Sequence, residues 1–96
     1  IRYQAEQNKT YCSDPYASKD RAEKITADAR FFAIYSEYIP RNKELIEASA
    51  SLHAITKGLS DQYQKTKVSP VFCKIKYQNI EESATKIQDV IGRRPR

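Results

Sequence analysis

The sequence predicts an all-α protein, a small up-down-up three-helix bundle, and three observations carry this prediction. Apolar residues recur in alternating steps of three and four along most of the 96-residue chain, which is the spacing of one helix face. Strand signals are absent: β-branched residues do not alternate over a run of four, and no Asn-Gly or Asp-Gly hairpin turn occurs. Finally, Asp-Pro and Ser-Pro pairs stand just ahead of two of the periodic segments, where helices start.

The first helix is expected near residues 15–39. Asp14 is suited to the N-cap and Pro15 to the first helical position. Pro40 interrupts the apolar pattern and marks the expected end of the helix. The inward stripe of this helix is predicted to be Ala22, Ile25, Ala29, Phe32, Ser36 and Ile39.

The second and third helices are expected near residues 41–63 and 70–91. Ser69-Pro70 repeats the start signal of the first helix, and Gly92 suits the position just after a helix end. All three helices have similar lengths and short connections, which favours antiparallel packing around one core. The residues predicted to be buried together are Ile25, Ala29, Phe32, Leu45, Leu52, Ile55, Leu59, Tyr77, Ile80, Ala84 and Ile87.

A competing architecture is a long helix that is only kinked at Pro40, with the third helix packed along it. The bundle is preferred because a hairpin near Pro40 lets all three apolar stripes share one core. The whole chain, residues 1–96, is then a single helical domain. Residues 1–13 are expected to be an irregular N-terminal arm, and residues 93–96 a basic tail.

The two cysteines, Cys12 and Cys73, are predicted to form a disulfide, because the first and third helices of such a bundle start at the same end. The alternative is a pair of free buried thiols in a cytosolic protein. A disulfide closing a loop of about 60 residues stabilises a protein by about 4 kcal/mol in the chain-entropy model. It favours an exported protein, periplasmic or extracellular, whose leader has been removed or is absent from this sequence.

Residues for catalysis are scarce, so no enzyme activity, cofactor or small-molecule substrate is expected. His53 is the only histidine and lies beside the apolar stripe of the second helix, as a structural histidine does. The carboxylate pairs, Glu44 with Glu47 and Glu81 with Glu82, fit a solvated helix face better than an acid–base pair. No Glu-x-x-His or Cys-x-x-Cys motif occurs, so no metal site is expected. One sequon begins at Asn8, and it matters only in a secreted eukaryotic protein.

Charge supplies one candidate surface, because the chain carries a net charge of +5. The segment between Asp61 and Glu81 contains lysines and no acidic residue. A second cluster of basic residues lies at the C-terminus. Two separate clusters are better suited to binding an anionic surface or another polyanion than to binding in a nucleic-acid groove. They are also explained if the charges serve only to keep the protein soluble. The candidate basic residues are Lys65, Lys67, Lys74, Lys76, Arg93, Arg94 and Arg96.

The second candidate surface is an aromatic face on the first helix, made by Phe31, Ile34, Tyr35 and Tyr38. These residues are offset from the inward stripe, so residues 31–39 are apolar nearly all round. A wide core stripe that touches two neighbouring helices is one explanation. The other is a contact surface, since exposed aromatic patches mark interfaces.

We therefore expect a non-enzymatic, exported protein-binding module, which presents the aromatic face to a protein partner or to a second copy of itself. Such a module acts as an inhibitor, an immunity or exclusion factor, or an assembly factor of an envelope complex. The alternative is a small basic helical protein that binds a polyanion or nucleic acid through its lysines and arginines.

Overall fold

The computed structural model describes residues 1–38 and 42–92, and within these ranges the chain is all-helical. A short helix, α1 (Arg2–Asn8), continues into a 3-10 turn (Lys9–Tyr11). The long helices α2 (Pro15–Ser36), α3 (Lys43–Lys65) and α4 (Pro70–Gly92) follow. They correspond to the three predicted helices, so the all-α fold class is confirmed, and α1 adds a helix that the sequence did not predict.

The prediction of an irregular arm over residues 1–13 is wrong for Arg2–Tyr11, which is helical. The segment buries Ala5, Asn8 and Cys12. Together with Ile1, which packs against the core, these residues have steps of four, three and four. The period is therefore helical, but a small residue, a polar residue and a cysteine occupy the inward positions, so an apolar periodicity is not visible there.

A capping side chain accepts a backbone hydrogen bond at the start of each long helix, and for α2 and α4 this residue belongs to the predicted start signal. Asp14 accepts from the backbone N–H groups of Tyr16 and Ala17 at 3.1 and 3.2 Å. Asn42 accepts from the Leu45 N–H at 3.2 Å, and the Ser69 hydroxyl accepts from the Phe72 N–H at 3.1 Å. These caps confirm the predicted starts to within two residues. The predicted end of the first helix at Ile39 lies outside the described residues, and α2 ends at Ser36.

The helices alternate in direction. α3 packs against both α2 and α4, and the hydroxyl of Thr26 donates to the carbonyl oxygen of Thr56 at 2.9 Å across the α2–α3 contact. Because α2 and α3 lie side by side, a single kinked rod is excluded. Among the described residues the Cα atoms of α2 and α4 do not come within 8 Å of each other, and α1 contacts both. Thus α1 fills the space between α2 and α4 on the side away from α3.

Nine of the eleven predicted core residues are buried; Phe32 and Ile55 are only half-buried, against the edge of the core. Ile55 is only half-buried because a row of small residues on α3, next to its leucines, faces the core instead. These residues are Ser49, Thr56 and Ser60, all buried. Small side chains let two helix backbones approach closely, so residue size as well as hydropathy decides which positions of α3 face inward.

The disulfide prediction is confirmed, since Cys12 and Cys73 are bonded with their Cα atoms 5.7 Å apart. Both cysteines are buried. The bond joins the segment after α1 to the first turn of α4. It therefore holds α1 in its place between α2 and α4.

Candidate functional site

The aromatic face predicted on the first helix is exposed at the C-terminal end of α2. Phe31 and Tyr38 are 70% exposed, Tyr35 is 59% exposed and Ile34 is 48% exposed. At 3.6 residues per turn Phe31, Ile34 and Tyr35 lie about 120–160° around the helix axis from the buried Ala29, and Tyr38 follows just after the helix end. The core is therefore complete without them, and the wide-stripe explanation does not account for them.

An apolar groove of about 210 Å³ opens beside this face, at the same end of the molecule. It is walled mainly by apolar side chains from α2, α3 and α4, namely Phe32, Leu52, Ala84, Ile87 and Ile91, together with Ile1 from the start of the chain. A shallower depression of about 460 Å³ lies between Ile1, Phe31, Phe32 and Tyr35. Ile1 and Phe32 line both, so the groove and the aromatic face form one continuous surface.

The groove exists because α1 is much shorter than its neighbours. α1 runs antiparallel to α4, with Arg2 hydrogen-bonded to Gln88 at 3.1 Å and Lys9 paired with Glu81 at 2.7 Å. The α1 helix begins at Arg2, whereas α2 and α4 reach further toward the α2–α3 end of the molecule. Their apolar inner sides diverge there without a helix between them. The sequence did not predict this groove, because its position depends on where α1 lies.

Polar groups border the aromatic face on the side toward α1. Gln4 donates to the carboxylate of Asp28 at 2.7 Å, and Lys24 lies 3.8 Å from the same carboxylate. Arg30 on α2 and Glu37 just after its end are exposed. An apolar centre with a mixed polar border is the usual composition of a protein–protein interface.

The predicted basic residues divide between described and undescribed parts of the chain. Lys65, Lys67 and Lys74 are exposed around the α3–α4 connection. Lys76 is half-buried, and its ammonium lies 5.3 Å from the centre of the Phe72 ring, a cation–π contact. The C-terminal cluster, Arg93, Arg94 and Arg96, lies outside the described residues.

No catalytic constellation is assembled among the described side chains. His53 is half-buried on α3, and its carbonyl oxygen accepts a hydrogen bond from the Thr56 hydroxyl at 2.9 Å. Glu44 and Glu47 are exposed, and Glu81 is paired with Lys9. In the described ranges no three His, Cys, Asp or Glu side chains gather where they could hold a metal ion.

The sequon asparagine, Asn8, is buried between α1 and α2, with its side-chain oxygen 3.4 Å from the Arg21 guanidinium. A glycan on that side chain has no space in this fold. The described helices also include none with the length and hydropathy needed to cross a bilayer.

Comparison of the chain with protein-family models, with curated protein sequences and with solved structures finds no significant match. Its function is therefore argued from its own surface.

Proposed function

We propose that the protein is a non-enzymatic binding module, which contacts a protein partner through the aromatic face of α2 and the adjacent groove. The observation that carries this proposal is the exposure of Phe31, Ile34, Tyr35 and Tyr38, by 48–70%, on one side of a helix whose other side is already buried. Isolated exposed apolar residues are common on proteins, but a contiguous group next to a groove is not.

The size of the surface supports a protein partner. Aromatic side chains each bury about 150–250 Å² when covered, so four large side chains at roughly half exposure offer on the order of 400–500 Å². A standard interface buries about 800 Å² on each partner. The face therefore supplies about half of such an interface, and the groove and the polar border supply the remainder.

The shape of the surface favours a partner with a projecting apolar side chain. The groove, at about 210 Å³, has the volume for one such side chain, and its buried lining residues are Leu52, Ala84 and Ile87. Tyr35 and Tyr38 suit a rim because their rings cover apolar surface while their hydroxyls remain hydrated. Anchoring side chains in pockets, ringed by residues that exclude water, contribute most of the affinity of protein interfaces.

The disulfide supports an oxidising compartment, periplasmic or extracellular, since such bonds persist there. An inhibitor, an immunity or exclusion factor and an assembly factor of an envelope complex all act by this kind of contact. A second copy of the chain is the other candidate partner.

The test uses a photo-crosslinking amino acid at position 31, in the cells that make the protein, followed by binding measurements with the purified partner. We expect Tyr35→Ser with Tyr38→Ser to weaken binding at least tenfold while leaving the helical circular dichroism unchanged. Tyr3→Ser with Tyr16→Ser is the matched control, because those tyrosines are 70% and 85% exposed elsewhere on the molecule.

Sedimentation of the purified protein separates the two kinds of partner. A dimer that is lost in the Tyr35/Tyr38 variant identifies a second copy as the partner. Equal effects of the two tyrosine pairs, on either binding or self-association, would contradict the assignment of the aromatic face.

A further inference from the structure

A second apolar surface lies on the outward side of α4, near its N-terminus. Val71 is 68% exposed, Ile75 is 54% exposed and Phe72 is 36% exposed. Val71 and Ile75 stand two residues to either side of Cys73, hence about 160° around the helix axis from it. Cys73 is fully buried, so Val71 and Ile75 face away from the core.

Lysines flank these apolar side chains along the chain: Lys74 and Lys76 lie on either side of Ile75, while Lys65 and Lys67 precede α4. Lys65, Lys67 and Lys74 are exposed, and Lys76 lies over the Phe72 ring. We call Val71, Phe72, Ile75 and these four lysines the basic apolar surface.

The acidic residues that border this segment are engaged elsewhere. Asp61 lies 3.2 Å from the Lys57 ammonium, and Glu81 lies 2.7 Å from the Lys9 ammonium. Positions 62–80 contain no aspartate or glutamate. Glu82 is the next acidic residue along α4 and accepts from Gln78 at 3.2 Å. The positive charge of the surface is therefore not cancelled by acidic neighbours in its own segment.

We propose that the basic apolar surface docks on the surface of an anionic lipid bilayer. This goes beyond the proposed protein contact, uses other residues and lies toward the other end of the molecule. A bilayer interface can bind both the apolar side chains and the lysines of this surface. Aliphatic and aromatic side chains enter the headgroup boundary, while lysines pair with anionic headgroups. Lysine stems also lie along apolar surface with their ammonium groups in water.

The aliphatic members favour lipid over other polyanions. Nucleic acid is bound by cations that contact phosphates and by aromatic side chains that stack on bases. Val71 and Ile75 can do neither, although they are the most exposed of the large apolar residues of α4. An acidic protein segment would pair with the lysines but gives these two residues no partner unless it is also apolar.

The relative position of the two surfaces fits this arrangement. α2 and α4 both begin at the disulfide end, and the basic apolar surface comprises the first two turns of α4 with the end of α3 and the connection before α4. The aromatic face lies in the last two turns of α2 and just beyond its end, at Tyr38, and the molecule is 45 Å long. A molecule docked through α4 therefore leaves the aromatic face free for its partner.

The experiment is co-sedimentation of the purified, oxidised protein with vesicles of phosphatidylcholine alone and of phosphatidylcholine with 30% phosphatidylglycerol. We expect binding to the anionic vesicles at least tenfold tighter than to the neutral ones, weakening with added salt. Lys67→Gln with Lys74→Gln should reduce it roughly 25-fold, about fivefold for each lysine near an anionic surface. Val71→Gln with Ile75→Gln should reduce it at least tenfold.

Two matched controls keep the outcome decisive. Lys43→Gln with Lys86→Gln removes the same charge from exposed positions elsewhere and should change binding less than threefold. Phe31→Gln with Ile34→Gln alters only the aromatic face and should leave vesicle binding intact, so the two proposals fail separately.

Three results would overturn the lipid proposal. The first is no preference for anionic vesicles, and the second is an equal loss in the two lysine variants. The third is binding to polyglutamate or duplex DNA that needs the lysines but not Val71 and Ile75, with no vesicle binding.

Discussion

Cys12 and Cys73 are 61 residues apart in sequence, and their bond is the covalent link between the α1 segment and α4. Among the described elements, α1 and the 3-10 turn that follows it contact both α2 and α4, so this bond fixes the segment that closes one side of the core. α1 has only seven residues, far fewer than an isolated helix needs for stability in water. Its order therefore depends on the disulfide and on its contacts with α4.

Replacement of both cysteines by serine is predicted to destabilise the protein by about 4 kcal/mol, the value for a loop of this length in the chain-entropy model. In a domain of this size such a loss lowers the Tm by roughly 15 °C or more. Thermal unfolding followed by circular dichroism measures it. Intact-mass analysis after alkylation of the native protein is the control, and two alkylated thiols would contradict the structure.

The Lys9–Glu81 pair also links the segment of α1 and the 3-10 turn to α4. The ammonium and carboxylate are 2.7 Å apart, and both side chains are about three-quarters buried. Lys9 also donates to the Gln78 side chain. Partly buried, hydrogen-bonded charges are stronger than exposed ion pairs, so Glu81→Gln is predicted to destabilise the protein by about 1–2 kcal/mol.

Hydrogen exchange distinguishes this local role from a global one. In the Glu81→Gln variant, amides of α1 should exchange faster, while those in the middle of α3 keep their relative protection. Asp61→Asn is the matched control, since its pair with Lys57 is exposed and on one helix. Equal destabilisation by both variants would show that Glu81 has no special role in docking α1.

The long helices were predictable because their signals are local. Capping residues with a following proline, and stripes of leucine and isoleucine, act within a few residues along the chain. α1 was missed because its inward positions hold Ala5, Asn8 and Cys12, which bury well but carry little hydropathy. What makes these residues inward-facing is the tertiary contact with α2 and α4, and no local pattern encodes that contact.

The candidate surfaces were predictable to different degrees. The sequence shows that the first helix has more apolar side chains than its inward stripe needs. The four residues of the aromatic face are indeed exposed. The groove next to them was not, because it arises where α2 and α4 extend past a short α1. For the lysines, the sequence showed the charge, but only the structure shows Val71 and Ile75 exposed among them.

Tyr77 gives a prediction about stability and pH. Its side chain is fully buried, and among the described residues no group meets hydrogen-bond geometry with its hydroxyl. Burial raises the pKa of the phenol above its ordinary value, and this effect is larger than that of the Asn8 side chain, which is close enough to lower the pKa in part. Removing a buried hydroxyl that lacks a partner relieves a desolvation penalty. Tyr77→Phe is therefore predicted to leave the free energy of unfolding unchanged or to raise it by up to about 1 kcal/mol.

The raised pKa of Tyr77 also sets the sign of a pH effect. Above about pH 10 the unfolded chain releases the phenol proton while the native protein keeps it, so stability falls as the pH rises. The Tyr77→Phe variant should lose less stability between pH 9 and 11 than the parent does. Urea unfolding at several pH values measures this. A variant clearly less stable at neutral pH would show that the hydroxyl does have a partner, for which Asn8 is the nearest candidate.

Phe31 and Phe32 provide the sharpest test of which side of α2 is functional, because they are adjacent, identical in type and opposite in environment. Phe31 is 70% exposed, whereas Phe32 packs against the core and lines the groove. Phe31→Ala should change the free energy of unfolding by no more than about 0.5 kcal/mol, as surface substitutions do. Phe32→Ala should cost about 2–3 kcal/mol, less than the 3–5 kcal/mol of a fully buried phenylalanine. Both values come from urea unfolding of the oxidised protein. If Phe31→Ala costs as much as Phe32→Ala, the aromatic face belongs to the core, and the proposed partner contact loses its surface.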